Sequence, residues 1–202
     1  MSPAEPAWLV VGLGNPGTRY ENTRHNAGAR AVERLARRLD TKMRSTRSVA
    51  WMGEARSDGV RLYLARPQTY MNESGRAVAA LASLKGLDPG SIIIVHDEID
   101  LPAGALKVKI GGGSAGNRGI ESVARALASK DFYRVRIGVG RPPHPFQEPA
   151  DFVLEPLSRK DALELYELEE RAGDAVLSLV HDGLDPTRNR FNSSAKTARA
   201  EE

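Results

Sequence analysis

Four residues of this 202-residue chain have side chains suited to hydrolysis and stand in polar loops: Asn15, His25, Asn72 and Asp97. His25, in NTRHNAG, falls in the first turn of a predicted helix. There, burial and the positive end of the helix dipole favour neutral imidazole, the form that accepts a proton. Asp97, in HDEID directly after an apolar run, can accept the other ring N–H of such a histidine, fixing its tautomer and stabilising the imidazolium. Asn15 and Asn72 bring neutral amides that both donate and accept, which suits holding an ester carbonyl or a water. No serine sits in a G-x-S-x-G elbow and there is no cysteine, so water is the expected attacker. Each group also has a plainer reading: a capping or core histidine, a solvated acidic turn or carboxylate Mg²⁺ site, and asparagines that satisfy turn backbone. His96 beside Asp97 offers a two-ligand metal corner, but no HExxH spacing completes it.

The elements that must position these residues follow from hydrophobic period and turn chemistry. Trp8 to Leu13 reads as a buried strand, and Thr23 can cap a helix from Arg24 whose Val32, Leu35, Ala36 and Leu39 recur at helical spacing. Val49 to Ala55 and Val60 to Ala65 flank Asp58-Gly59, a hairpin signal. Ser74 can cap a helix carrying Val78, Leu81 and Leu84, ended by Gly86. Ile92 to Val95 has the β-branched run of a central strand. Leu106 to Ile110 and Val135 to Val139 read as further strands around a helix opened by GGGSAGNRG; Leu165, Leu168, Ala172, Val176 and Leu179 trace a closing helix with Ser158 near its start. The pattern predicts an α/β fold: a single-domain three-layer sandwich with a mixed, mostly parallel central sheet flanked by helices. Residues 1–184 are read as that domain and 185–202 as a polar, flexible tail. Loops Asn15 to His25, Thr69 to Ser74 and His96 to Pro102 follow strands or the hairpin, so they can converge on one crevice.

With 41% hydrophobic and 27% charged residues the composition is that of a soluble globular chain. A net charge of +3 and a pI near 9.3 tilt it toward polyanions without the dense basic blocks of a dedicated nucleic-acid binder. The absence of cysteine excludes disulfides and thiolate chemistry and fits a cytoplasmic address. MSPAEPAW lacks the build of a signal peptide, and no apolar run reaches the roughly 18 residues of a membrane span. Gly12, Gly14 and Gly17 spell the dinucleotide fingerprint, but Pro16 lies inside it and the next helix starts too late to place its N-terminus on a pyrophosphate.

Three stretches, GLGNPGTRYENTRHNAG, PQTYMNESG and HDEIDLPAGALKVKIGGGSAGNRG, occur in that order and together resemble the bacterial-type peptidyl-tRNA hydrolases. The likeness runs from about Leu9 through the final helix. The resemblance implies an α/β fold around a mixed sheet, a monomer without metal or cofactor, and cleavage of the ester between an N-blocked peptide and the 3′-terminal ribose of tRNA. It implies His25 as general base, Asp97 as its orienting partner and Asn15 as a selector of N-blocked peptide. By the same resemblance Tyr20, Tyr70 and Asn72 line the peptidyl-adenosine end, while Lys109 and Arg136 grip phosphate near the acceptor end. One loop departs from the family: Gly116-Asn117-Arg118-Gly119 stands where Gly-His-Asn-Gly is common. Either Asn117 takes over the substrate-binding amide or Arg118 contacts the RNA. A non-catalytic RNA-binding descendant and a nucleotide-dependent enzyme are the rival readings.

Overall fold

The computed structural model describes residues 5–47 and 49–192. Strand β1 (Ala7–Gly12) leads through a one-turn helix α1 (Thr18–Glu21) and a 3-10 turn (Arg24–Asn26) into α2 (Ala27–Arg38). Strands β2 (Arg44–Thr46), β3 (Ala50–Ser57) and β4 (Val60–Pro67) follow, then α3 (Ser74–Lys85), β5 (Ile92–Glu98) and β6 (Leu106–Ile110). The chain continues with α4 (Arg118–Ala126), β7 (Tyr133–Gly138), α5 (Pro149–Leu154), α6 (Arg159–Asp182) and α7 (Leu184–Phe191).

One seven-stranded sheet has the order β2-β3-β4-β1-β5-β7-β6. The inner strands β4, β1, β5 and β7 pair in parallel, and the antiparallel pairings are confined to the two edges. The fold is therefore the expected α/β sandwich on a mixed sheet, with its parallel part at the centre. Alternation along β1 sorts the core into two layers: Val10 joins Leu35 and Val176 beneath α2 and α6, while Leu9 and Val11 join Val78 and Val123 beneath α3 and α4. Every residue of β5 is buried, and each large apolar side chain buried there contributes about 1.5–3 kcal/mol.

The hairpin forms as expected: Ser57 pairs with Val60, and Asp58 and Gly59 take φ of 43° and 80°, a turn whose twist matches the strands. Ser158 caps α6 by accepting from Asp161 N at 3.1 Å. Two other expected caps do not form. The Thr23 hydroxyl donates to the Tyr20 carbonyl, and Ser74 lies inside α3 with its hydroxyl on the Met71 sulfur. Both helices are preceded by a 3-10 turn that already supplies the entry. The sequence reading also misses α1 and β2, elements too short to show a period. The flexible tail expected from Asp185 is corrected: α7 packs there, Phe191 is buried, and the Asn192 amide bonds both Val108 N (2.6 Å) and Val108 O (3.0 Å) on edge strand β6. The remainder of that tail, 193–202, lies outside the described residues.

Candidate active site

The chain leaves β1 toward one side of the sheet and β4 crosses to the other, so β1 and β5 flank a switch point where an open α/β sheet places its ligand. Glycines let a helix close on that point. A Cβ on Gly12 would lie 2.2 Å from the Gly28 carbonyl oxygen, and one on Gly28 would lie 2.1 Å from the Val95 carbonyl oxygen. Backbone bonds Leu13 N to Val95 O and Ala29 N to Leu13 O, both 2.9 Å, lock the contact. The G-x-G-x-x-G stretch thus serves backbone packing of β1, α2 and β5. Helix α2 lies against the strands and carries the preceding 3-10 turn over the end of β5.

That placement brings His25 Nδ1 to 2.9 Å from Asp97 Oδ2. The other carboxylate oxygen accepts from Asn117 Nδ2 at 3.2 Å. Burial works against a charged imidazole, but the charge and hydrogen bond of Asp97 prevail and hold the His25 pKa above its ordinary value; the Arg118 charge opposes them. The carboxylate beneath it thus offsets the burial and helix dipole that favour the neutral form. Asp97 is itself buried, which favours its protonated form, yet the imidazole charge and hydrogen bond hold its pKa below the ordinary value. His25 Nδ1–H thus faces a carboxylate anion, and its Nε2 is left to act as a base.

Asn15 is fixed at both ends. Its backbone N–H donates to Asn26 Oδ1 (2.9 Å), its carbonyl accepts from Asn26 Nδ2 (2.9 Å), and its Oδ1 accepts from Met71 N (2.8 Å). The Asn15 Nδ2 group remains a donor at the crevice. Asn15, His25, Tyr70, Asn72, Asp97, Asn117 and Arg118 all line one crevice of about 520 Å³. Asn117 is fully engaged, since its Oδ1 also caps α4 by accepting from Gly119 N (3.0 Å) and Ile120 N (3.2 Å). Arg118, exposed at the first position of α4, is the free side chain of that loop.

Three expected site residues lie outside the crevice. Tyr20 sits on α1 with the Arg19 guanidinium 5.6 Å from its ring centre. Arg136 on β7 and Lys109 on β6 lie on the two strands beyond β5. Arg136 is held by buried Glu98, at 2.9 Å from Nη2 and 3.1 Å from Nε. Burial, then the charges of Arg134 and Arg136, lower the Lys109 pKa. His96 forms no metal corner: buried, it donates Nδ1–H to the Asp97 carbonyl at 2.7 Å, and burial pushes its pKa down to about 4. Among the described residues no cluster of three or more His, Asp or Glu is placed to hold a metal ion. The sequence reading missed the wall supplied by Glu148, Pro149, Ala150, Val153 and Leu154. Its signal was Pro149 at the first position of α5, a helix-start mark before an apolar turn.

Sheet, crevice and imidazole–carboxylate contact together define an α/β protein with a polar crevice at the switch point of its sheet. The family model for peptidyl-tRNA hydrolase matches residues 9–200. Among curated relatives, the peptidyl-tRNA hydrolase of Frankia alni is 46% identical over 186 residues, covering 92% of this chain and 94% of the relative. That of Mycobacterium tuberculosis is 47% identical over 191 residues, covering 94% and 99%. A crystal structure of peptidyl-tRNA hydrolase from Acinetobacter baumannii is similar with a TM-score of 0.86 at 31% identity, over 96% of this chain and 98% of that one. The chain belongs to the peptidyl-tRNA hydrolase family and is a hydrolase of that class.

Proposed function

We propose that this chain cleaves the ester between an N-blocked peptide and the 3′-terminal ribose of tRNA, with His25 as general base toward water and Asp97 as its orienting partner. The observation that carries the reading is the 2.9 Å contact between His25 Nδ1 and Asp97 Oδ2 at the floor of the crevice. Water attacks the ester carbonyl carbon while His25 Nε2 takes its proton. The tetrahedral intermediate then expels the ribose oxygen, which receives that proton from His25. Asp97 remains ionised throughout and stabilises the transient imidazolium. Asn15 Nδ2 donates to a carbonyl oxygen of the peptidyl group, its own Oδ1 being held by Met71. Asn72 and Tyr70, exposed at the rim, contact the peptidyl-adenosine end, and Tyr20 stands beyond it.

Asn117 acts on Asp97 and α4, so of the two residues in the divergent loop Arg118 is the one that meets RNA. Lys109 is the phosphate contact on the β6 edge, with Arg136 supporting it from its pairing with Glu98. The substrate so proposed is a product of translation, which fits work in the cytoplasm, and the chain is read as a monomer. Among the described residues no helix is long and apolar enough to cross a membrane.

Release of tRNA from purified N-acetyl-aminoacyl-tRNA is the direct test. The His25→Ala variant should lose at least 100-fold in kcat, the low end of general acid–base contributions. An undiminished rate would remove the mechanism. Tight RNA binding without hydrolysis at any pH would replace it with a non-catalytic reading.

A further inference from the structure

Helix α6 reaches the His25 turn through a buried carboxylate. Glu169 is 1% exposed, and its two oxygens accept from Arg30 Nε and Arg34 Nε, each at 2.8 Å. Arg30 then donates through Nη1 to the carbonyls of Glu21 (2.6 Å) and Thr23 (2.8 Å), just ahead of the 3-10 turn that carries His25. The neighbouring carbonyls are also taken: that of Asn22, between them, accepts from Leu157 N at 2.9 Å, and that of Tyr20, just before them, accepts from Thr23 N at 3.2 Å.

This arrangement is expensive for the fold. Burial raises the Glu169 pKa despite the charges and hydrogen bonds of both arginines, and Arg30 Nη2 is buried without a partner. An apolar pair of similar volume at such a site is often neutral or stabilising by comparison. What the ionic form supplies and an apolar pair cannot is two directed hydrogen bonds to the backbone that leads into His25.

We infer that Arg30, oriented by Glu169, is a positioning residue that fixes the His25 ring within reach of Asp97. Arg30 touches no reacting atom; it holds the backbone at 21 and 23 so that the imidazole cannot swing away from the β5 end. Small displacements of a catalytic group are costly, since a misplacement of about 1 Å can reduce turnover on the order of 100-fold. The inference rests on the hydrolytic reading above.

The test is the double variant Arg30→Met with Glu169→Leu, which keeps the volume and removes the directed bonds. Arg34 loses its carboxylate as well, so the variant is read below its own Tm, where kcat on N-acetyl-aminoacyl-tRNA should fall by on the order of 10-fold or more with KM changed by less than about twofold. The downfield proton resonance expected of His25 Nδ1–H in the parent should broaden or disappear in the variant. A folded double variant with parental kcat and an intact resonance would overturn the inference. Should that variant not fold, Glu169→Gln, read below its Tm, must show the same kcat loss and resonance change, and parental values there would overturn it equally. A parent that hydrolyses nothing would instead remove the function proposed above, and the resonance would still decide the positioning role.

Discussion

At His25 three influences compete, and in the proposed mechanism their balance sets the pH at which the enzyme works. Burial disfavours the imidazolium, Asp97 favours it more strongly, and Arg118 pushes back. Because the base must be neutral, a raised pKa means that kcat/KM falls as pH drops through a midpoint above the ordinary histidine value of about 6.5. Arg118→Gln removes one lowering influence, so the midpoint should move to still higher pH. The height of the profile reports any contact Arg118 makes with substrate, whereas the midpoint reports its charge at His25; a midpoint that stays put or moves down contradicts the assignment. The types of His25 and Asp97 were readable as base and orienter from their loops. Their pairing was proposed from the loops as well, but the contact itself comes from how α2 lies across β5, between residues 72 positions apart. Asn117 illustrates the same limit. An asparagine just before a helix reads as a cap, but the second half of its amide reaches Asp97 20 residues away, and only that contact removes it from the free substrate ligands.

Elements reach the site through close backbone contacts, and glycines decide how close. The G-x-G-x-x-G stretch was readable as a scaffold because Pro16 and the late helix spoiled the dinucleotide pattern; that Gly28 is its partner was not readable, since nothing local marks a helical glycine that meets a strand carbonyl. Gly28→Ala should displace α2 from β5, because its Cβ would sit 2.1 Å from the Val95 carbonyl oxygen with no flexible side chain to give way. Overpacking of this kind costs about 1–3 kcal/mol or more, and it should lower kcat further by lifting His25 from Asp97. Gly90→Ala, where no atom lies within 4 Å of the added carbon, is the control and should stay within about 0.5 kcal/mol of the parent in denaturant titration. Equal midpoints for the two variants would refute the packing argument. The hairpin was the most legible element, since Asp58-Gly59 encodes its turn within two residues. Helix α7 was the least: its polar sequence resembles a tail, and only Thr187 and Phe191 are buried by contacts with distant parts of the chain.

Across the whole molecule, the modest net charge of +3 gathers meaning from where the cations stand. Lys107 and Lys109 on β6, Arg134 and Arg136 on β7, and Arg188 and Arg190 on α7 share the sheet edge where Asn192 secures the chain end to β6. Lys109 lies two strands from β5, roughly 10 Å along the sheet, and the proposed reading takes tRNA phosphate to this edge. Composition pointed to a polyanion; it could not separate cations that bind from cations that hold the fold. Two of them differ in their surroundings. Burial, then the neighbouring cations, lowers the pKa of Lys109, so an arriving phosphate would favour its charged form. Arg136 is committed to Glu98, a carboxylate only 3% exposed. Lys109→Ala should therefore weaken RNA binding, reduce the slope of log affinity against log salt by about 0.7–0.9, and leave the Tm unchanged. Arg136→Ala should instead strand a buried charge and cost on the order of 3–5 kcal/mol of stability, with the loss visible by calorimetry before any RNA is added. If the salt slope is unchanged in Lys109→Ala, or if Arg136→Ala keeps the parental Tm, the division of labour along this edge is wrong, and phosphate must be met elsewhere on the molecule.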